Sequence, residues 1–275
     1  MKFSDLLAAA ERRNDSMLCV GLDPDPARFP AKWRDDPRRI FDFCAAVVDA
    51  THDLVSAFKP QIAYFGAHRA EEQLERLIAH IADVAPQVPV ILDAKRGDIG
   101  ATAEQYAREA FERYRAHALT VSPFLGFDSI EPYLRHADKG LFLLCRTSNP
   151  GGADLQAQPL ASGRLLFEHI AELAQGPWNA GGQIGLVVGA TYPDEIARVR
   201  SLAPTLPLLI PGIGAQGGDA AATVRAGRRR VDGRTLGPII VSASRSILYA
   251  SEGDDFALAA REAALDLRRE LAEAG

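Results

Sequence analysis

Only three cysteines, Cys19, Cys44 and Cys145, occur in 275 residues, each inside an apolar stretch and none in a Cys-x-x-Cys pair. That spacing excludes a disulfide framework and a thiolate zinc site, and fits the reduced, buried thiols of a cytoplasmic protein. Long apolar runs are missing as well: Met1-Lys2-Phe3-Ser4-Asp5 leads straight into an amphipathic stretch with Glu11, Arg12 and Arg13. Neither a signal peptide nor a bilayer span is expected. Positive charge is in short supply, and a formal net charge of -5 leaves no general field for polyanions. Nucleic acid and anionic membrane are therefore not expected as partners, and any phosphate must be caught locally. The six histidines lack a metal-binding spacing such as H-E-x-x-H, and no role is assigned to them. Arg228-Arg229-Arg230 is too short and isolated to mean nucleic acid, and reads as a solvated loop.

What is present is enough apolar material for one large core: 47% hydrophobic and 24% charged residues, with no linker or low-complexity segment dividing 1–275. Short aliphatic runs bounded by Gly, Pro and Asp mark eight candidate strands, starting near Met17, Leu54, Pro89, Ala118, Leu141, Ile184, Leu206 and Pro238. Between them lie stretches with helical spacing, such as Ile40, Cys44, Val47 and Thr51, or Leu74, Leu77, Ile78 and Ile81. Eight strand-helix units in an undivided chain predict a single-domain (β/α)8 TIM barrel. Ser4 is placed to cap an extra N-terminal helix, and Asp254 or Asp255 to start a final helix rich in Ala, Leu, Glu and Arg.

Each apolar run ends in residues that a core does not need: Gly21-Leu22-Asp23, Lys59-Pro60-Gln61, Asp93-Ala94-Lys95, Ser122-Pro123, Arg146-Thr147-Ser148-Asn149, Gly189-Ala190-Thr191, Pro211-Gly212 and Ser242-Ala243-Ser244-Arg245. In a barrel these converge on the carboxyl rim, where active sites form. Asp93 and Lys95, two apart on a strand, point to one side. Lys59 ends the preceding strand and Asp98 follows three residues after Lys95, so opposite charges alternate. An ordinary ion-pair network explains one such pair. Four charges beside apolar strands point to a task, because buried charge is costly unless paired.

Taken with Thr147-Ser148-Asn149-Pro150-Gly151 and Pro211-Gly212-Ile213-Gly214-Ala215-Gln216-Gly217-Gly218, the run Asp93-Ala94-Lys95-Arg96-Gly97-Asp98-Ile99-Gly100-Ala101-Thr102 resembles the signature segments of the orotidine 5'-phosphate decarboxylase family, in its longer bacterial, type 2 branch. The matching blocks span Asp23 to Arg245. The resemblance implies a cofactor-independent carboxy-lyase converting orotidine 5'-phosphate to uridine 5'-phosphate and CO2, the last step of UMP synthesis. Lys95, Asp93, Lys59 and Asp98 are its catalytic group, with Lys95 as the acid. It implies that Asp23 and Lys59 hold the ribose, that Ser148 meets the pyrimidine amide edge, and that Gln216 and Arg245 grip the phosphate. It further implies a homodimer with shared sites, in which Asp98, Ile99 and Thr102 reach a second subunit.

Plainer readings stand beside these. Thr102-Ala103-Glu104-Gln105 fits a helix capping box, Asp23-Pro24-Asp25-Pro26 a turn, and Asn149-Pro150-Gly151-Gly152 either a turn or a lid. Gly212 to Gly217 satisfies G-x-G-x-x-G, yet it follows the seventh strand, where barrels bind phosphate, rather than the first strand of a dinucleotide fold. A nicotinamide oxidoreductase, a Schiff-base aldolase on Lys95 and a phosphate-ligand sensor are the remaining alternatives. The nearest is a magnesium-dependent phosphosugar decarboxylase or synthase, whose relatives carry a carboxylate where this chain has Lys59. Two positions depart from many relatives: Gly66, and Ser244 where glycine often precedes the phosphate arginine.

Overall fold

A computed structural model of the chain describes residues 1–213 and 217–275. Helix α1 (Phe3–Asn14) precedes strand β1 (Leu18–Leu22). There follow α2 (Ile40–Thr51), β2 (Ala57–Pro60), α3 (Ile62–Gly66), α4 (Glu71–Val84), β3 (Ile91–Arg96), α5 (Gly100–Arg108), β4 (Ala118–Val121), α6 (Glu131–Leu134) and β5 (Gly140–Arg146). The second half continues with α7 (Leu166–Gln175), β6 (Ile184–Val188), α8 (Pro193–Leu202), β7 (Leu208–Pro211), α9 (Ala220–Gly227), β8 (Arg229–Val231), β9 (Arg234–Gly237), β10 (Ile239–Ala243), α10 (Arg245–Leu248) and α11 (Phe256–Glu273).

Eight parallel strands run in the order β2-β1-β10-β7-β6-β5-β4-β3. Single parallel bridges, Phe58 to Val90 and Gln61 to Asp93, join the two ends. The sheet is thus a (β/α)8 barrel, as the strand-helix alternation predicts. The helices form for the expected reason: Leu74, Leu77, Ile78 and Ile81 of α4 are all buried on one face, each worth about 1.5–3 kcal/mol of apolar burial. Inside the barrel Cys19, Ala57, Ile91, Ala118, Phe142, Val187, Leu209 and Ile240 form a second core. Phe3 and Leu7 of α1 plug it from below, with Phe3 edge-on to Phe142 at 5.7 Å. Gly140 permits that plug, since a Cβ there would fall 2.3 Å from the Phe3 ring. All three cysteines are free and buried. No helix among the described residues is long and apolar enough to cross a membrane.

Three local expectations are corrected, and one, the start of the last helix at Asp255, holds. Ser4 lies inside α1, whose N-cap is Lys2. Asp255 does occupy the N-cap of α11, but its carboxylate accepts from Ser251 Oγ instead of the helix backbone. Thr102 is within α5, because Asp98 accepts the Ile99 N–H and the Ile99 carbonyl already opens the helix. The arginine run is no plain loop: Arg229 and Arg230 belong to β8, paired antiparallel with β9. Asp232 and Gly233, both at positive φ, make the tight Asp-Gly turn between them.

Candidate active site

Lys59, Asp93 and Lys95 meet at the carboxyl rim. Lys59 Nζ lies 3.0 Å from Asp93 Oδ2, and Lys95 Nζ lies 2.7 Å from Asp93 Oδ1. Lys59 and Asp93 are buried, whereas the Lys95 side chain is about half exposed. Burial opposes both buried charges, but here each is outweighed by its partners. The Asp93 and Asp23 carboxylates hold the Lys59 ammonium well above its ordinary range, and the Lys59 and Lys95 ammoniums hold Asp93 well below the usual carboxylate range.

The chain reaches this arrangement through an irregularity, not through a regular two-residue period. Leu92 pairs with Leu119 and Arg96 with Val121, so β3 spends four residue steps where β4 spends two. Lys95 sits in this bulge at φ 47°, a left-handed conformation that costs an L-residue about 1–2 kcal/mol. Bulges of this kind re-aim side chains beside active sites. Buried Thr120 of β4 faces the bulge, accepting N–H bonds from Ala94 and Lys95 and donating to Asp93.

Asp23 follows β1 and adds negative charge near Lys59. Its Oδ1 is buried with no hydrogen-bond partner among the described residues, a deficit that a ligand hydroxyl would repair. Tyr249 fixes this loop: its hydroxyl donates to the Asp23 carbonyl at 2.8 Å and accepts the Asp25 N–H at 2.7 Å. Ser148 follows β5, and Gly189 at the end of β6 makes room for it, since a Cβ at Gly189 would lie 2.6 Å from the Ser148 backbone. Beside Ser148, Arg146 forms a buried ion pair with Glu195 at 2.8 Å. The segment read as a turn or lid forms a 3-10 turn, Pro150–Asp154, while Gln156 accepts the Thr147 N–H. Arg245 opens α10 at the end of β10 and is exposed. Ser244 before it has φ -126°, outside the left-handed region that requires glycine, but its Oγ is buried with no hydrogen-bond partner among the described residues. Gln216 lies outside the described residues.

Asp98 is the exception to the expected quartet. Within one chain it makes no ion pair among the described residues and instead accepts the Ile99 N–H, while Ile99 is 52% exposed and Thr102 is exposed. Three charges, not four, are therefore assembled by the chain alone. Thr120, the pairing of Arg146 with Glu195, and Tyr249 escaped the sequence reading. A lone threonine in the otherwise apolar Ala118-Leu119-Thr120-Val121, part of a fully buried parallel strand, is the signal that marks the first.

A cavity of about 800 Å³ lies at the opposite, amino-terminal end, bounded by Leu7, Glu11, Met17, Ile184, Arg228 and Thr235, and contains none of these groups. Functional residues of such barrels sit at the carboxyl ends of strands, and the charge ladder is at that end.

Fold and rim together define an α/β barrel that gathers lysines and an aspartate at the carboxyl ends of neighbouring strands. The chain belongs to the Orotidine 5'-phosphate decarboxylase / HUMPS family, whose model matches residues 16–260. It is 71% identical to the Orotidine 5'-phosphate decarboxylase of Albidiferax ferrireducens, over 98% of this chain and 96% of that protein. It is 69% identical to the protein of that name from Methylibium petroleiphilum, over 98% and 99%. Among solved structures, the Leishmania donovani OMP decarboxylase superposes with a TM-score of 0.85 at 40% identity, covering 100% of this chain and 98% of that one.

Proposed function

We propose that the rim decarboxylates orotidine 5'-phosphate to uridine 5'-phosphate and CO2, with the Lys59-Asp93-Lys95 ladder as the observation that carries the mechanism. The bond from C6 to the carboxylate breaks, its electron pair stays on C6, and a proton from Lys95 Nζ replaces the CO2. The lysine is left neutral and regains a proton from solvent. Little resonance helps the C6 carbanion, so positive charge must stand where negative charge develops. An ammonium at ~4 Å in an effective dielectric of about 20 contributes roughly 4 kcal/mol. Asp93 faces the substrate carboxylate, and Lys59 fixes Asp93 from behind.

Asp23, with its unpartnered oxygen, and Lys59 hold ribose hydroxyls. Ser148 meets the pyrimidine amide edge, and Gln216 and Arg245 take the phosphate as a charge-assisted pair. A second copy of the chain completes the site with Asp98, Ile99 and Thr102. Exposed apolar side chains support this homodimer: Ile99, together with Phe124 at 75% exposure, Leu125 and Phe127. The turn at Phe127–Ser129 packs against α5, so these side chains share one side of the rim. Free thiols and the lack of a membrane-crossing helix among the described residues favour the cytoplasm.

A magnesium-dependent phosphosugar reaction is not favoured, since an ammonium, Lys59, occupies the rim position beside Asp93. The test follows absorbance as orotidine 5'-phosphate is converted, with and without EDTA. Wild type is expected to turn over equally in both, and Lys95→Ala to lose at least about 1,000-fold in kcat, the equivalent of roughly 4 kcal/mol. An active Lys95→Ala enzyme removes Lys95 from the mechanism, and loss of activity in EDTA restored by Mg²⁺ revives the alternative.

A further inference from the structure

We infer that Thr120 is a positioning residue for the reaction, its one hydroxyl fixing both the Asp93 carboxylate and the backbone that presents Lys95. The inference rests on the reading of Asp93 and Lys95 given above. The register of β3 against β4 leaves two residues of β3 over, between Leu92 and Arg96. Residues in a bulge lose their ladder partners, so the N–H groups of Ala94 and Lys95 need acceptors from elsewhere. Both donate to Thr120 Oγ1, each at 3.0 Å. The hydroxyl's own hydrogen goes to Asp93 Oδ1 at 2.9 Å.

A hydroxyl offers one donor and two acceptor lone pairs, and here all three are committed to the tripeptide Asp93-Ala94-Lys95. A threonine serving only the sheet would divide its bonds otherwise. Thr120 is 1% exposed, so water cannot substitute for it without rearrangement of the strand. The held backbone includes Lys95 at φ 47°, a conformation that persists only when its surroundings over-determine it. Asp93 is held likewise from three directions: Lys59 on Oδ2, and Lys95 and Thr120 on Oδ1. Removing the hydroxyl frees one carboxylate oxygen to swing and releases the bulge, so the ammonium loses its aim at C6 while the groups for ribose and phosphate stay in place.

Thr120→Val keeps the side-chain shape and removes all three bonds, Thr120→Ser keeps the hydroxyl, and Thr120→Ala removes it without adding bulk. Steady-state kinetics on orotidine 5'-phosphate, affinity for uridine 5'-phosphate and thermal midpoints are measured for each, with Lys95→Ala in parallel. For Val and Ala, kcat is expected to fall about 100-fold, the scale of loss that follows a displacement of about 1 Å at a reacting group. KM and product affinity should stay within about threefold, and Ser should recover kcat to within about fivefold of wild type, because orientation rather than binding is at stake. If either folded Val or Ala enzyme retains kcat within threefold, if kcat and KM move together, or if Ser is as impaired as Val, Thr120 is structural only. An active Lys95→Ala enzyme overturns the underlying catalytic assignment instead. An inactive Lys95→Ala beside a normal Thr120→Val overturns this inference alone.

Discussion

The two ends of the barrel both bury charge, but they satisfy it differently. At the amino-terminal end Arg200 is buried with its guanidinium spread over four carbonyls, those of Ala203, Leu206, Gly227 and Pro238. Burial, then the nearby Arg229, pull its pKa down to about 10, yet nearly every donor is used. At the carboxyl rim Lys59 and Asp93 are held by opposite charges, and capacity is left over. Lys95 extends its ammonium from a half-exposed side chain, and Asp23 Oδ1 is buried without a partner among the described residues. Neutral carbonyls hold the buried charge at the amino-terminal end, whereas at the carboxyl rim buried charges hold one another, and that difference separates the two ends.

Asp93→Ala probes this contrast most strongly. It leaves Lys59 buried with its nearest counter-charge gone, so urea titration should show a loss of about 3–5 kcal/mol together with loss of turnover. The pH sign follows from the same pair. The depressed Asp93 contributes stability that is fully present above the ordinary carboxylate range and is lost as pH falls through its folded value. The elevated Lys59 contributes stability that is fully present below the ordinary lysine range and is lost as pH rises through its own. Between about pH 5 and pH 10 the pair is at full strength.

Arg200→Met should cost about 3 kcal/mol in the same titration, since charged hydrogen bonds are lost and carbonyls are stranded, but kcat should not change. A change in kcat would break the division between the ends. The smallest effect belongs to His117, at the amino end of β4, where Nδ1 accepts the Val90 N–H. Burial, then Lys139, lower its pKa to about 4. A histidine depressed on folding stabilises in its neutral form, so that stability is lost as pH falls from about 6.5 toward about 4. With the ring partly open to water, about 1–2 kcal/mol is expected in that window, absent in His117→Gln, with turnover at neutral pH unaltered.

The barrel was largely legible in the sequence because fully buried parallel strands read as short apolar runs. Ala118 and Ile184 begin β4 and β6 as expected, whereas Leu54 precedes β2 by three residues, its apolar run being core before it is strand. Asp93, Lys95 and Lys59 were legible for the same reason: polar residues at the ends of such runs stand out. Thr120 was not, because its work depends on a bulge that no periodicity announces. Asp98 was read both as part of the charged group and as reaching a second copy, and one chain alone does not bring it to Lys59, Asp93 and Lys95. The Asp232-Gly233 turn was legible and overlooked, masked by the charge of the arginines around it.

Around the circle of staves, seven neighbouring pairs are laced by ladders and one joint, between β2 and β3, by isolated bridges. Lys59 and Asp93 lie on either side of that joint, so the bond between them is also the rivet that closes the hoop. The barrel is therefore cinched at its charged rim, and a substitution that removes either residue loosens the closure with it.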